Sequence, residues 1–156
     1  MSTTIRKATE TEIEILSKMR VQMLFENSEN ELSDTIYNNT KQFIKDGLQN
    51  NNLVIYIAVD NENIIAMGMI NFFDFPPNDW CASGKTTYIG NMFTLPRYRN
   101  HGIATKILSL LVEEATTRKS ERILLNPTEM GKPLYEKSGF KQWSEALVMY
   151  PFNESL

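Results

Sequence analysis

The segment Arg99-Asn-His-Gly102-Ile-Ala104 combines residue types that bind anions and joins a strand-like run, 87–94, to a strongly periodic helical segment. The first N–H groups of a helix lack intrahelical acceptors, and the helix dipole favours negative charge there. Gly102 lets the backbone approach a ligand closely, and Arg99 can add a charge-assisted hydrogen bond to a phosphate. The segment therefore predicts an anion site at a helix start, although a pattern this short also arises in ordinary turns.

Other reactive side chains predict less chemistry. His101 lies in the same turn, so we interpret it as part of the anion site rather than as a base. Cys81 lies in a loop with no histidine beside it, which does not favour a thiol nucleophile. A single Cys and a single His exclude an intrachain disulfide and predict no zinc or other metal site.

Composition predicts one ordinary globular domain over residues 1–156. The chain is 42% hydrophobic and 22% charged. Its net charge of −3 argues against a nucleic-acid partner, which favours a basic face. The sequence contains no signal-peptide pattern and no apolar run long enough for a membrane span, so we expect a cytoplasmic protein without membrane contact. We expect a monomer or a homodimer.

The elements that position the anion site follow an α/β order. A stripe of apolar residues at helical spacing, from Ile103 to Ala115, predicts a helix packed on a sheet. Further helical patterns begin at Ile13, after a Thr9–Glu12 capping box, and at Ile36, and a broken helical segment covers 127–138. The predicted strands are 5–7, 53–59, 64–73, 87–94, 122–126, 140–143 and 146–150. The second and third should form a hairpin, and 87–94 and 122–126 should be parallel through a right-handed crossover.

Two signatures give a family resemblance. Leu95-Pro-Arg-Tyr-Arg-Asn-His-Gly-Ile-Ala104 resembles the acetyl-CoA signature of the GNAT superfamily of acyl-CoA-dependent N-acetyltransferases. Pro133-Leu-Tyr-Glu-Lys-Ser-Gly-Phe140 resembles the second signature of that family, a Tyr on the last helix followed by Gly-Phe. The resemblance covers essentially the full length and is specific in the second half. It implies a mixed, mostly antiparallel twisted sheet of six to seven strands, with a central parallel pair and about four flanking helices.

The resemblance also implies acetyl-CoA as co-substrate. The strand residues Met92, Phe93 and Thr94 would pair by backbone with the pantetheine arm, and Asn126 would make a polar contact at the tip of the next strand. The CoA pyrophosphate would be bound mostly by main-chain N–H groups of Arg99, Asn100, His101, Gly102, Ile103, Ala104 and Thr105.

Family members of this pattern transfer the acetyl group directly to a bound amine. Within that chemistry a backbone N–H of Met92 or Phe93 is the natural oxyanion donor. Tyr135 is the candidate acid for the departing thiolate, since a phenol with a pKa of about 10 is protonated at neutral pH. Residues 87–91 offer no carboxylate, so the resemblance identifies no general base.

The acceptor is expected to be a small primary amine bound between two irregular segments, 24–34 and 72–84. The carboxylates of Glu26, Glu29 and Glu31 would attract a cationic amine, and Phe73 and Asn91 are further candidates for acceptor contacts. Two alternatives stay open. One is a protein or peptide N-acetyltransferase, against which the bulky 72–80 loop argues. The other is a catalytically silent acyl-CoA-binding module, against which Tyr135 argues.

Overall fold

The computed structural model describes residues 3–26, 34–143 and 147–152. Two compact units divide the chain, Met1–Asn126 and Pro127–Leu156, and each is described by itself. Of the predicted acceptor residues, Glu29 and Glu31 lie outside the described residues.

The first unit contains a five-stranded sheet in the order β1-β2-β3-β4-β5. Neighbouring strands are antiparallel except β4 and β5, which are parallel as predicted and lie at one edge of the described sheet. The predicted hairpin of β2 and β3 turns at 60–63. The strands are β1 (Thr4–Lys7), β2 (Leu53–Asp60), β3 (Asn63–Asp74), β4 (Lys85–Thr94) and β5 (Arg122–Leu125).

Four helices accompany the sheet: α1 (Ile13–Phe25), α2 (Asp34–Gln49), α3 (Ile103–Thr117) and, in the second unit, α4 (Lys132–Lys137). The predicted capping box is present before α1, because the Thr9 amide donates to Glu12 Oε2 at 2.9 Å. One 3-10 turn, Glu10–Glu12, leads into α1, and another, Pro96–Tyr98, follows β4.

The helices of the first unit cover the two faces of the sheet. Leu16 of α1 and Ile44 of α2 pack in one buried cluster with Met67, Met69 and Phe93. Gly68 lies between two of these residues on β3, so it faces the opposite side, where α3 packs. A Cβ on Gly68 would lie 2.6 Å from Ile107 Cγ2, so the glycine allows α3 to approach the strand closely.

The structure corrects the prediction of two strands at the end of the chain. Residues 140–143 and 147–150 pair with no strand in the described part of the chain, so the sheet has five strands there rather than six to seven. A half-buried strand needs one covered face, yet the consecutive side chains of Leu147 and Val148 are 99% and 74% exposed. Apolar alternation predicts that a segment can form a strand but not that a partner is available. The intervening residues 144–146 lie outside the described residues.

Candidate active site

Strands β4 and β5 separate halfway along β4. Their last paired residues are Ile89 and Leu125, and β4 continues to Thr94. After Gly90 the register against β3 shifts by one residue, since Met69 pairs with Gly90 but Met67 pairs with Phe93. This bulge increases local twist and turns the strand. The far edge of β4 beyond Ile89 therefore has no strand partner among the described residues.

The ladder with β3 indicates which amides of β4 point to that open edge. The Leu95 amide donates to Ile65 O at 2.9 Å, so Leu95 faces β3. Because backbone groups alternate along a strand, Phe93 also faces β3 and Thr94 faces the open edge. The carbonyl of Thr94 there accepts a hydrogen bond from Arg99 Nε at 2.9 Å.

The turn between β4 and α3 is fastened to the sheet by a buried hydrogen bond. Tyr98, only 7% exposed, donates its hydroxyl to Asp60 Oδ2 at 3.2 Å. After it the backbone reverses through two left-handed residues, Asn100 (φ 63°) and Gly102 (φ 74°). Nothing lies within 4 Å of a Cβ built on Gly102, so the turn borders open space there. A glycine at this position satisfies the positive φ without the strain of a side chain.

The same turn presents a run of unused hydrogen-bond donors. The first helical bond of α3 runs from the Lys106 amide to Gly102 O at 3.2 Å. Within the described residues, none of the amides from Asn100 to Thr105 donates to a protein acceptor, and no side chain caps the helix. Buried or partly buried N–H groups are normally paired. Donors of this kind at the positive end of a helix can bind an anion.

Arg99 connects this turn to two other elements. Besides its bond to Thr94, its Nη2 donates to Glu26 Oε1 at 2.6 Å, with the two side chains 27% and 24% exposed. Glu26 follows the last residue of α1, so the ion pair joins the end of that helix to the anion turn. The sequence predicts Glu26 beside the acceptor, and in the structure its carboxylate pairs with Arg99.

The His101 side chain hydrogen-bonds to the backbone of the turn. Carbonyl oxygens only accept, so Nδ1 carries the hydrogen that is directed at Arg99 O, at 2.7 Å, and at Tyr98 O, at 3.2 Å. This geometry agrees with a structural part in the anion turn. A cleft of about 290 Å³ adjoins the ring, lined by Thr3, Ile5, His101, Ile103 and Lys106.

Comparison with known proteins identifies the family. Residues 16–140 match a family model described as "Acetyltransferase (GNAT) family". The chain belongs to the GNAT acetyltransferase family. This confirms the resemblance drawn from the two signatures, and the mixed sheet with a parallel pair is the GNAT fold.

Solved structures of acetyltransferases are similar to this GNAT chain over nearly its whole length. One is a predicted acetyltransferase with acetyl-CoA from Clostridium acetobutylicum, 36% identical, with a TM-score of 0.89 over 95% of this chain and 96% of that one. A GCN5-related N-acetyltransferase from Ralstonia eutropha JMP134 is 20% identical, with a TM-score of 0.87 over 96% and 99% of the two chains. The aminoglycoside N-acetyltransferase AAC(6')-Iy in complex with CoA is 15% identical, with a TM-score of 0.74 over 97% and 95%. No curated protein matches the sequence significantly.

The remaining acceptor candidates of this GNAT protein do not come together. Asn91, in the bulge, is buried and donates its Nδ2 to Met69 Sδ at 3.1 Å. Phe73 pairs with Thr86 near the start of β4. Thr86 precedes Thr94 by eight residues, which corresponds to about 26 Å along the strand. There it lines a separate cleft of about 310 Å³ that also includes Lys85 and Arg118.

Tyr135 belongs to the second unit of the GNAT chain and lies on α4. Its ring packs edge-on against Phe140, with centroids 6.0 Å apart and an interplanar angle of 74°. Between them Gly139, at φ 94°, ends the helical turn. The Tyr and the Gly-Phe of the second signature thus form one local unit.

Sequence reasoning missed Arg20. This residue is half-buried on α1, and burial lowers the pKa of its guanidinium, while the neighbouring phenol of Tyr88 acts in the opposite direction. A signal was present in the sequence, because Arg20 stands three and four residues after Ser17 and Leu16, on the apolar stripe of the helix.

Across 3–26, 34–143 and 147–152, no three His, Cys, Asp or Glu side chains group as metal ligands. No helix in those ranges is both long and apolar enough to cross a membrane.

Proposed function

We propose that this GNAT protein is an N-acetyltransferase that moves the acetyl group of acetyl-CoA directly to a primary amine of a small molecule. The observation that supports it most strongly is that the amides from Asn100 to Thr105 have no acceptor among the described residues, in the turn that follows the part of β4 unpaired with β5. The structure that is 36% identical to this chain holds acetyl-CoA, which supports the same co-substrate here.

The cofactor would lie along this path. The amides of residues 100–105 would hold the pyrophosphate, with Arg99 and His101 shaping the turn rather than supplying most of the bonds. The pantetheine arm would follow the open edge of β4 past Thr94 and Met92 toward Asn126, which is exposed directly after β5. Since Phe93 faces β3, strand alternation favours Met92 over Phe93 as the oxyanion donor.

The reaction would form one C–N bond and break one C–S bond. A neutral amine attacks the thioester carbon, the amide of Met92 stabilises the charge on the carbonyl oxygen, and the thiolate leaves. Tyr135 would supply the proton that the thiolate takes up, and the amine would release its proton to water. No side chain is assigned as general base.

Thiol release from acetyl-CoA, measured with a panel of small primary amines and of peptides with free N-termini or lysines, tests the proposal. We expect amine-dependent release with small amines, and its loss in Gly102→Glu. Release with peptides alone would instead indicate a protein or peptide acetyltransferase. Tight acetyl-CoA binding without release for any acceptor would indicate the silent binding module and contradict the proposal.

A further inference from the structure

Helix α1 carries a half-buried cation, Arg20. Leu16 and Ser17, one turn before Arg20, are fully buried, and its neighbours Met19 and Val21 are 4% and 3% exposed. The Arg20 side chain therefore leaves a buried stretch of the helix and is itself half-buried. Taking a guanidinium out of water is costly unless an anion or several acceptors replace the lost hydration.

No such replacement is present in the described part of the chain. The guanidinium of Arg20 makes no ion pair or hydrogen bond there. Other described arginines do, since Arg6 binds Glu12, Arg99 binds Glu26 and Arg118 binds Glu114. Arg99 and Arg118 are also partly buried, at 27% and 25% exposure, so Arg20 differs from them in having no hydrogen-bond or ion-pair partner among the described residues. Its guanidinium has five N–H donors.

Two polar side chains of the sheet face the same region. Tyr88 of β4 pairs directly across from Asn71 of β3, on the face that also carries Met69 and on which α1 packs. Neither Tyr88 nor Asn71 makes a side-chain hydrogen bond within the described residues. Helix α1, which carries Arg20, contacts β4, which carries Tyr88. Burial lowers the pKa of Arg20, and the phenol of Tyr88 acts in the opposite direction. We call these three residues the Arg20 cluster.

The position of the Arg20 cluster relates it to the acceptor rather than to the cofactor phosphates. The Tyr88 ring leans along β4 over Gly90, with its Cε1 3.2 Å from the position of a Cβ on that glycine, at the point where β4 and β5 separate. Tyr88 precedes Met92, the proposed oxyanion donor, by four residues, or about 13 Å of strand. It precedes the pyrophosphate turn by more than ten residues.

We propose that the Arg20 cluster binds an oxyanion, a carboxylate or a phosphate, carried by the acceptor amine. The inference rests on the proposed function and specifies its substrate class as an amine that also bears an anionic group. A guanidinium binds both oxyanions through paired N–H donors, and the Tyr88 hydroxyl and Asn71 amide can add further hydrogen bonds.

Kinetics with matched acceptors test the proposal. Free amino acids are compared with their carboxamides, and amino-sugar phosphates with the unphosphorylated amino sugars, so that the two arms separate carboxylate from phosphate recognition.

In the wild-type protein one anionic series should have a lower KM than its neutral analogues. Arg20→Gln should raise KM for that series about 10- to 100-fold, the loss expected for charge-assisted bonds. KM for the neutral analogues and for acetyl-CoA should stay within about twofold. Lys18→Gln, an exposed cation on the same helix, is the control and should change none of them.

Thermal unfolding separates this role from a structural one. Because Arg20 has no protein partner among the described residues, Arg20→Gln should leave Tm unchanged or raise it, whereas loss of a structural contact would lower it. With CoA bound, inorganic phosphate or acetate should raise Tm of the wild type more than that of Arg20→Gln.

Four outcomes contradict the inference. Equal KM values for anionic and neutral acceptors in the wild type would overturn the Arg20 assignment and leave the proposed function intact. The Arg20 assignment is also overturned, with the proposed function intact, if Arg20→Gln changes KM equally for the anionic and the neutral acceptors. It is likewise overturned if Arg20→Gln lowers Tm with no change in acceptor KM. Absence of thiol release with every amine would overturn the proposed function itself and the inference with it.

Discussion

Gly102 is the residue on which the anion turn depends most directly. Its φ of 74° is one that side chains adopt with strain, and the space beyond it is open. A side chain placed there would extend into the region that the unpaired amides face. The position therefore allows a test that separates backbone strain from charge.

Gly102→Glu should weaken acetyl-CoA binding by about 100-fold or more, since a like charge brought against phosphates costs several kcal/mol. Isothermal titration calorimetry measures the affinity. Gly102→Ala is the matched control, because it introduces the same strain, about 1 kcal/mol of folding stability, without the carboxylate. If both variants bind acetyl-CoA as the wild type does, the cofactor phosphates lie elsewhere.

Tyr135→Phe tests the proposed acid. The variant keeps the ring and its edge-on contact with Phe140 but removes the hydroxyl. We expect kcat to fall about 10- to 1000-fold, the range of general acid catalysis, with acetyl-CoA affinity unchanged. Steady-state kinetics and calorimetry on the same preparation measure the two quantities. Turnover close to the wild-type value would leave Tyr135 with a packing role only.

Residue types and spacing predicted the turn at 99–102 and the helix start after it because their signal is local: a glycine, an apolar helical stripe and an arginine within a few positions. The partners of that arginine were not predictable in the same way. Glu26 is 73 residues from Arg99, and only the packing of α1 brings its carboxylate to the turn. Arg20 was likewise visible only as a charge on an apolar stripe, whose meaning depends on what faces it.

At the scale of elements, the close contact of α3 with β3 keeps the anion turn next to the bulge in β4. Gly68 makes this contact possible, because a Cβ there would meet both Met92 Sδ, at 2.5 Å, and Ile107 Cγ2, at 2.6 Å. One of these atoms belongs to the bulge and the other to the helix. A side chain at Gly68 should therefore push the two elements apart.

Gly68→Ala should destabilise the fold by about 1–3 kcal/mol, the cost of overpacking a core. Chemical denaturation measures the change. Ile107→Ala removes one of the two obstructing atoms, so the double variant should be less destabilised than the sum of the single variants. Additive effects would contradict the close contact between helix and strand.

The elements differ in how far the sequence predicted them. The Thr9–Glu12 capping box and the β2–β3 hairpin have local signals that the tertiary structure does not override. The segments 140–143 and 147–150 carry apolar residues suited to strands, but strand formation needs a neighbouring edge as well as a pattern. The bulge at Asn91–Met92 left no clear sequence signal, although Asn91 tolerates the positive φ of 51° found there.

At the scale of the molecule, Glu114 links distant parts of the first unit. Its carboxylate accepts from Lys7 Nζ of β1 at 2.8 Å and from Arg118 Nε at 3.1 Å. Arg118 continues the network to the carbonyl of Asn51, just before β2, at 2.7 Å. Burial raises the pKa of Glu114, but the bonds from Lys7 and Arg118 outweigh it and hold the pKa below its usual value.

A carboxyl group whose pKa is lowered by folding contributes stability above its unfolded-state pKa, about 4.3, and loses it as pH falls through the lower folded-state value. Wild-type Tm should therefore fall more steeply below pH 4.3 than that of Glu114→Gln. At neutral pH the variant should be less stable by about 1–3 kcal/mol. Thermal unfolding from pH 3 to 7 measures both, with the exposed neighbour Glu113→Gln as control. Parallel pH profiles of wild type and Glu114→Gln would contradict this role of the network.

The unpaired amides of the anion turn have a consequence for how this protein would respond to its surroundings. Peptide N–H groups are dipoles that neither gain nor lose a proton between mildly acid and alkaline conditions, unlike the lysine or histidine of many phosphate sites. Affinity for the co-substrate should thus be buffered against changes in acidity. Any pH dependence of the catalysed reaction would then come from the acceptor and the proton donor. The protein could be saturated with acetyl-CoA at any pH in this range.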